Sequence, residues 1–146
     1  MKQYMLQKTC DVLGTYDVVV VGGGTAGVIA AAAAAKEGAS VALIEKFGAL
    51  GGSSTGALVT PTMSTHVDGA PMNSYLVTEL DRLAAERGAM VKRGVSRYYD
   101  PILLPVILEE MAVDAGVSLY LYTDLIDVVK ENRTIVGVYV SDKSET

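Results

Sequence analysis

The first strong pattern along the chain is a β-branched run with no polar alternation, Val18 to Val21. Such a run predicts a strand covered on both faces, as in a parallel sheet, and places it at the sheet's centre. Gly22-Gly23-Gly24 follows, then Thr25-Ala26-Gly27-Val28-Ile29 and the alanines Ala30 to Ala35. Alanine is the strongest helix former and packs closely on a sheet, so a helix is expected here, with Gly38 ending it in the left-handed conformation. Val41-Ala42-Leu43-Ile44 reads as a second buried strand that stops at Glu45, which completes a βαβ unit.

From Phe47 to Pro71 the periodicity vanishes and Gly, Ser and Thr dominate. That is long for a connection and is read as an ordered, functional loop. Tyr75, Leu76, Leu80, Leu83 and Ala84 then recur at helical spacing, with Glu79, Asp81, Arg82 and Glu86 opposite them and Gly88 as a stop. Asp100-Pro101 has the form of a helix cap and first position, although Pro105 would disturb the second turn; the alternative start lies just before Pro105. In both cases the helix runs through Leu108 and Met111 to a stop near Gly116. Val117 to Tyr122 is a third apolar strand, and Leu125 to Lys130 pairs with Ile135 to Val140 around a Glu131-Asn132-Arg133 turn. The expected fold class is therefore α/β: a Rossmann-like parallel sheet carrying the βαβ unit, plus a β-meander hairpin. No repeat or linker interrupts residues 16–146, which follow a short N-terminal extension, residues 1–15.

Composition narrows the function. Half of the 146 residues are hydrophobic and a fifth are charged, which excludes a disordered chain. A mean hydropathy of +0.32 also suggests apolar surface meant to be covered, by self-association or by a missing C-terminal part. The net charge of −5, with no Lys/Arg cluster, argues against nucleic acid as a partner. Val18 to Ala35 is uncharged, but its glycines and Thr25 interrupt it, so no membrane span is expected. Cys10 is the single cysteine and no signal-peptide core precedes Tyr16, which fits a reducing, cytoplasmic setting.

Gly22-Gly23-Gly24-Thr25-Ala26-Gly27 matches G-x-G-x-x-G between a strand and a helix, with Glu45 on the next strand. Gly22 permits the tight turn, Gly24 has no Cβ to obstruct a pyrophosphate, and Gly27 lets helix and strand approach. The helix N-terminus supplies unpaired amides and positive partial charge, so a diphosphate needs no Lys or Arg. Glu45 can accept hydrogen bonds from both hydroxyls of an adenosine ribose, and its charge disfavours a 2′-phosphate. These residues point to the ADP half of a dinucleotide.

Tyr16 through Gly27, continued to Glu45-Lys46, resembles the dinucleotide-binding motif of FAD-dependent oxidoreductases of the glutathione-reductase-like superfamily. Gly51-Gly52-Ser53-Ser54-Thr55-Gly56 is similar to a second glycine-rich segment in one bacterial branch. The resemblance implies FAD as cofactor, Lys46 among the cofactor-binding residues, Gly51, Gly52 and Ser53 along the pyrophosphate and ribityl chain, and Leu125 touching adenine through its backbone. It also implies flavin-dependent hydride or electron transfer on a small-molecule substrate that the sequence does not identify. Residues 16–146 are then an incomplete FAD-binding domain, an inactive fragment without its C-terminal strand or a substrate domain, and the first strand would lie at a sheet edge. Two other readings stay open: the nucleotide domain of an NAD-dependent dehydrogenase, which would return to its third strand sooner, and a truncated non-catalytic binding module.

No catalytic residue can be assigned. His66 is read as an ordinary loop histidine, and Ser53, Ser54 and Thr55 lack the strand–elbow–helix setting of a nucleophile. Tyr98, Tyr99, Tyr120 and Tyr122 suit packing better than ligand stacking, and no set of residues has metal-ligand spacing.

Overall fold

The computed structural model describes residues 2, 4, 9–62, 66–67, 70–71 and 75–143, with only the backbone described at 66–67 and 70–71. Strands β1 (Val18–Val21) and β2 (Val41–Ile44) run parallel and are joined by α1 (Thr25–Lys36). Two-residue strands β3 (Pro61–Thr62), β4 (His66–Val67) and β5 (Ala70–Pro71) follow, within the segment expected to be a loop. Helix α2 (Tyr75–Glu86) leads to a hairpin, β6 (Met90–Arg93) and β7 (Ser96–Tyr99). Helix α3 (Leu104–Asp114), β8 (Ser118–Tyr120) and the long hairpin β9 (Asp124–Glu131) and β10 (Thr134–Ser141) complete the chain.

The parallel sheet has the order β1-β2-β8, which corrects the expectation for the first strand. Strand β2, not β1, is central and buried along its length, whereas Val19 and Val21 of β1 are 39% and 47% exposed. The physical reason is that β8 pairs with the far side of β2, and no described strand pairs with the outer side of β1. The edge placement that the family resemblance implied for β1 is the one observed.

Helix α1 sits on the sheet through Val28, Ala31 and Ala32, all fully buried, and joins a core with Leu43, Leu80, Leu104, Ile107 and Leu108. Alanine side chains let the backbone of α1 come close to its neighbours, so an alanine-rich helix loses little by having few large apolar groups. It stops where expected: Gly38 takes φ 93°, and the amides of Gly38 and Ala39 return to the carbonyls of Ala35 and Ala34 at 3.0 and 3.2 Å. Gly88 and Gly116 end α2 and α3 in the same way.

The third helix begins at the later of its two candidate starts. Asp100 Oδ1 accepts the amides of Ile102 and Leu103 at 2.7 and 3.1 Å and closes a turn, after which Pro105 falls in the first helical turn where no amide is needed. The β6–β7 hairpin was not anticipated. It turns at Gly94, φ 60°, and β7 also pairs with β3.

That hairpin is fastened to α2 by a polar cluster. Asp81 accepts from Arg97 Nε and from the Tyr99 hydroxyl, and Arg97 and Tyr99 are buried. Burial, reinforced by the Asp81 carboxylate, pushes the Tyr99 phenol above its ordinary pKa. Replacing the charge while keeping the shape, Asp81→Asn, is expected to cost about 2 kcal/mol, the range for a hydrogen bond to a charged partner. Urea unfolding of the two proteins measures it, and an unchanged midpoint would show that the cluster contributes nothing.

Candidate functional site

At the carboxyl end of β1 the chain turns sharply. Gly22 adopts φ 102°, and its amide still donates to Ile44 O at 2.8 Å, so the turn starts from a paired strand end. Gly24 caps α1 with extended backbone (φ −63°, ψ 169°), and the first intrahelical bond runs from the Val28 amide to Gly24 O at 3.0 Å. The amides of Thr25, Ala26 and Gly27 therefore precede any intrahelical partner and head the helix as donors. A Cβ added at Gly24 would meet no atom within 4 Å, so the space before these amides is open. At Gly27 a Cβ would lie 1.9 Å from Gly22 O, which makes glycine obligatory at that crossing.

The second glycine-rich segment lies against the first. Gly51 bridges to Gly24 as in a parallel ladder, and its amide donates to Gly23 O at 2.8 Å. Gly52 opens a short 3-10 turn, Gly52–Ser54, and a Cβ on it would come within 3.1 Å of Gly24 Cα. Thr55 fastens this turn: it is buried, and its hydroxyl donates to Leu50 O and Gly52 O at 2.9 and 3.2 Å. Ser53 is exposed on the turn, where its carbonyl accepts the Val59 amide.

Glu45 is buried at the end of β2. Its Oε2 accepts the Gly23 amide at 2.6 Å and its Oε1 the Phe47 amide at 2.8 Å. A carboxylate offers about four lone-pair positions, so each oxygen retains one for a further donor. Lys46 is exposed, with its ammonium 4.8 Å from the Phe47 ring centre.

These groups border a cleft of about 320 Å³, lined by Val21, Gly22, Glu45, Lys46, Gly52 and Leu125, among others. That is within the range of small-ligand sites. Of the residues singled out in the sequence, Gly22, Glu45, Lys46, Gly52 and Leu125 line it, while Gly23, Gly24 and Gly51 form the adjoining turn. Thr25, Ala26 and Gly27 make the first turn of α1, and Ser53 stands outside the lining.

Sequence reasoning missed Phe47, which also lines the cleft, as do Thr123 and Asp124, the two residues that lead into Leu125. Thr123 donates its amide to Glu45 O at 3.0 Å, and the Tyr122 amide donates to Phe47 O at 3.2 Å. The chain after β8 is thereby tied beside the acid. Tyr122 takes φ 54°, and its ring fills the position a side chain on Gly48 would occupy. The positive φ leaves no trace in the sequence, because it falls on a tyrosine, a residue type that does not advertise it.

The remaining candidates stay outside the cleft lining. Tyr99 belongs to the Asp81 cluster, and Tyr120 shares a 2.6 Å hydroxyl contact with Tyr16. That contact lowers the pKa of Tyr16 and raises that of Tyr120. His66 lies in β4, and its side chain is outside the described residues. Among the described residues no group of His, Cys, Asp and Glu could hold a metal, and no helix is long and apolar enough to cross a membrane.

The comparisons with known proteins agree on one fold. A structure of a geranylgeranyl bacteriochlorophyll reductase-like protein from Thermoplasma acidophilum superposes with a TM-score of 0.63 at 23% identity, covering 89% of this chain and 36% of that one. For glycine oxidase from Bacillus cereus the values are 0.59 and 16%, with 87% and 53% covered. For L-proline dehydrogenase from P. horikoshii they are 0.56 and 18%, with 84% and 48% covered. The chain thus spans about half the length of such structures or less. No curated protein sequence matches it. The sequence profile described as FAD dependent oxidoreductase, however, matches residues 17–146, nearly the whole chain from the residue before β1 onward. This chain belongs to the FAD-dependent oxidoreductase family.

Proposed function

We propose that the chain binds the ADP half of FAD in the cleft between the glycine turn and Glu45, as the FAD-binding portion of a flavin-dependent oxidoreductase. The observation that carries this reading is the open face of Gly24, where a Cβ would meet no protein atom within 4 Å, at the cap of a helix whose first amides have no intrahelical partner. A diphosphate suits it because those amides and the helix dipole supply positive potential without a cation. In this reading Gly24, Thr25 and Ala26 donate to the pyrophosphate, and Gly51, Gly52 and Ser53 continue its path toward the ribityl chain. Glu45 accepts from the ribose hydroxyls with its remaining lone pairs. Leu125 borders the adenine, and Lys46 and Phe47 also line the cleft. The bound flavin supplies the hydride or electron transfer; this chain's residues bind and orient it. The substrate is a small molecule recognised elsewhere in the whole protein.

Titration of the chain with FAD, ADP and NADH by calorimetry tests the reading. Binding of FAD and ADP is expected, with FAD preferred over NADH; preference for NADH would favour a dehydrogenase domain, and no binding of any would remove the nucleotide site. Glu45→Ala is expected to weaken FAD by about ten- to a hundredfold, the equivalent of a charged hydrogen bond. The same affinity in both proteins would take Glu45 out of the site.

The lone cysteine, exposed at Cys10, supports a cytoplasmic location, which cell fractionation would test. Among the described residues nothing pairs with the uncharged outer edge of β1, which supports a covering strand, from a further part of the chain or a second copy. Sedimentation of the isolated chain separates the two.

A further inference from the structure

We infer that Glu45 is a positioning residue for the diphosphate turn as well as a ribose acceptor, an inference that rests on the adenosine reading above. The glycine at position 23 is held at both ends of its backbone. Its amide donates to Glu45 Oε2 at 2.6 Å in a buried bond, and its carbonyl accepts the Gly51 amide at 2.8 Å. Its Cα faces Leu50 and Glu45 so closely that an added Cβ would lie 2.5 Å from Leu50 Cδ2 and 3.0 Å from Glu45 Cβ. Glu45 Oε1 is committed in turn to the Phe47 amide at 2.8 Å. One carboxylate therefore joins the end of β2, the middle of the first glycine turn and, through Gly23, the second glycine-rich segment.

Two consequences follow from the direction of these bonds. The Gly23 amide points at Glu45, so the phosphate donors begin at Gly24. The plane of the peptide before Gly23 is also set by the acid, and the position of the helix-head amides depends on that plane. An anion site made of backbone donors gains affinity from being held in place before the ligand arrives. A carboxylate is required for this, because both of its oxygens only accept. Glutamine in the same place would present an NH₂ group to either the Gly23 or the Phe47 amide, donor against donor, and break at least one bond.

A ribose-only role and a positioning role make different predictions for a ligand without ribose hydroxyls. The probe is 2′,3′-dideoxyadenosine 5′-diphosphate, titrated beside ADP into the whole chain and into Glu45→Gln. The expected result is that Glu45→Gln weakens the dideoxy ligand by about tenfold, the effect of losing one charged hydrogen bond. Equal affinity of both proteins for the dideoxy ligand would overturn the inference. Hydrogen exchange at the Gly23 amide without ligand gives an independent reading: about tenfold faster exchange in Glu45→Gln, with Leu43 unchanged, is expected. If the wild-type chain binds neither FAD nor ADP, the adenosine reading fails, and Gly23 exchange alone decides, unchanged exchange overturning the positioning role. Should Glu45→Gln fail to fold, Glu45→Asp is measured in the same way, since it keeps the charge but withdraws both oxygens by one methylene.

Discussion

Gly24→Val is expected to leave the chain folded and to weaken FAD by about a hundredfold or more, equivalent to about 3 kcal/mol of binding. The fold tolerates the change because a Cβ there meets no protein atom within 4 Å and the backbone, φ −63° and ψ 169°, is open to any residue. Losing glycine at a helix cap costs at most about 1 kcal/mol. The ligand is expected not to tolerate it, because the branched side chain takes up open space at the helix cap that the proposed diphosphate needs to approach the backbone amides. Calorimetry with FAD and a thermal melt of the ligand-free protein check both halves. Affinity equal to the parent chain would move the diphosphate away from this turn, and a large fall in Tm would show that the opening is not empty.

The sequence made the centre of this site readable because its constraints are local. A strand end, three glycines and a helix of small residues leave few conformations, and each of Gly22, Gly24 and Gly27 has a separate steric or electrostatic reason to be there. The position of Glu45 follows from the parallel pairing of β2 with β1, which the two apolar runs already imply. What stayed hidden depends on contacts distant in sequence. A run such as Val18 to Val21 looks the same at the centre of a sheet and at an edge, and only the pairing of β8 with β2 decides between them. The β6–β7 hairpin escaped notice because Lys92, Arg93 and Arg97 interrupt its apolar residues, and Arg97 is accommodated by pairing with Asp81 on α2. Phe47 reaches the cleft through backbone bonds across the chain, which leave no mark on side-chain composition. The same holds for Glu45: its charge and location suggested a ribose acceptor, but nothing in the sequence said that it also receives the Gly23 amide.

Gly27→Ala should do the opposite of Gly24→Val, damaging the fold first and binding only as a consequence. The added Cβ would stand 1.9 Å from Gly22 O and 3.1 Å from Gly22 C. Both are backbone atoms, so no rotamer change relieves the overlap; either α1 lifts from β1 or the Gly22 peptide turns away. Overpacking of this kind costs typically up to about 3 kcal/mol, and a backbone collision belongs at the upper end or beyond. Alanine's better helix propensity returns only about 1 kcal/mol. A fall in Tm of about 10 °C is therefore expected for a domain of this size. The bond between the Gly22 amide and Ile44 O, which starts the turn from a paired strand end, is the contact most exposed to that movement. Faster hydrogen exchange at Gly22 would locate the damage there, whereas an unchanged melt would mean that α1 and β1 do not cross as closely as described. Saturating FAD should recover part of the lost stability in Gly27→Ala, because a ligand that binds only the folded state shifts the equilibrium toward it. In Gly24→Val, where the fold is sound and the seat for the diphosphate is filled, the same FAD concentration should raise Tm far less than it does in the parent chain.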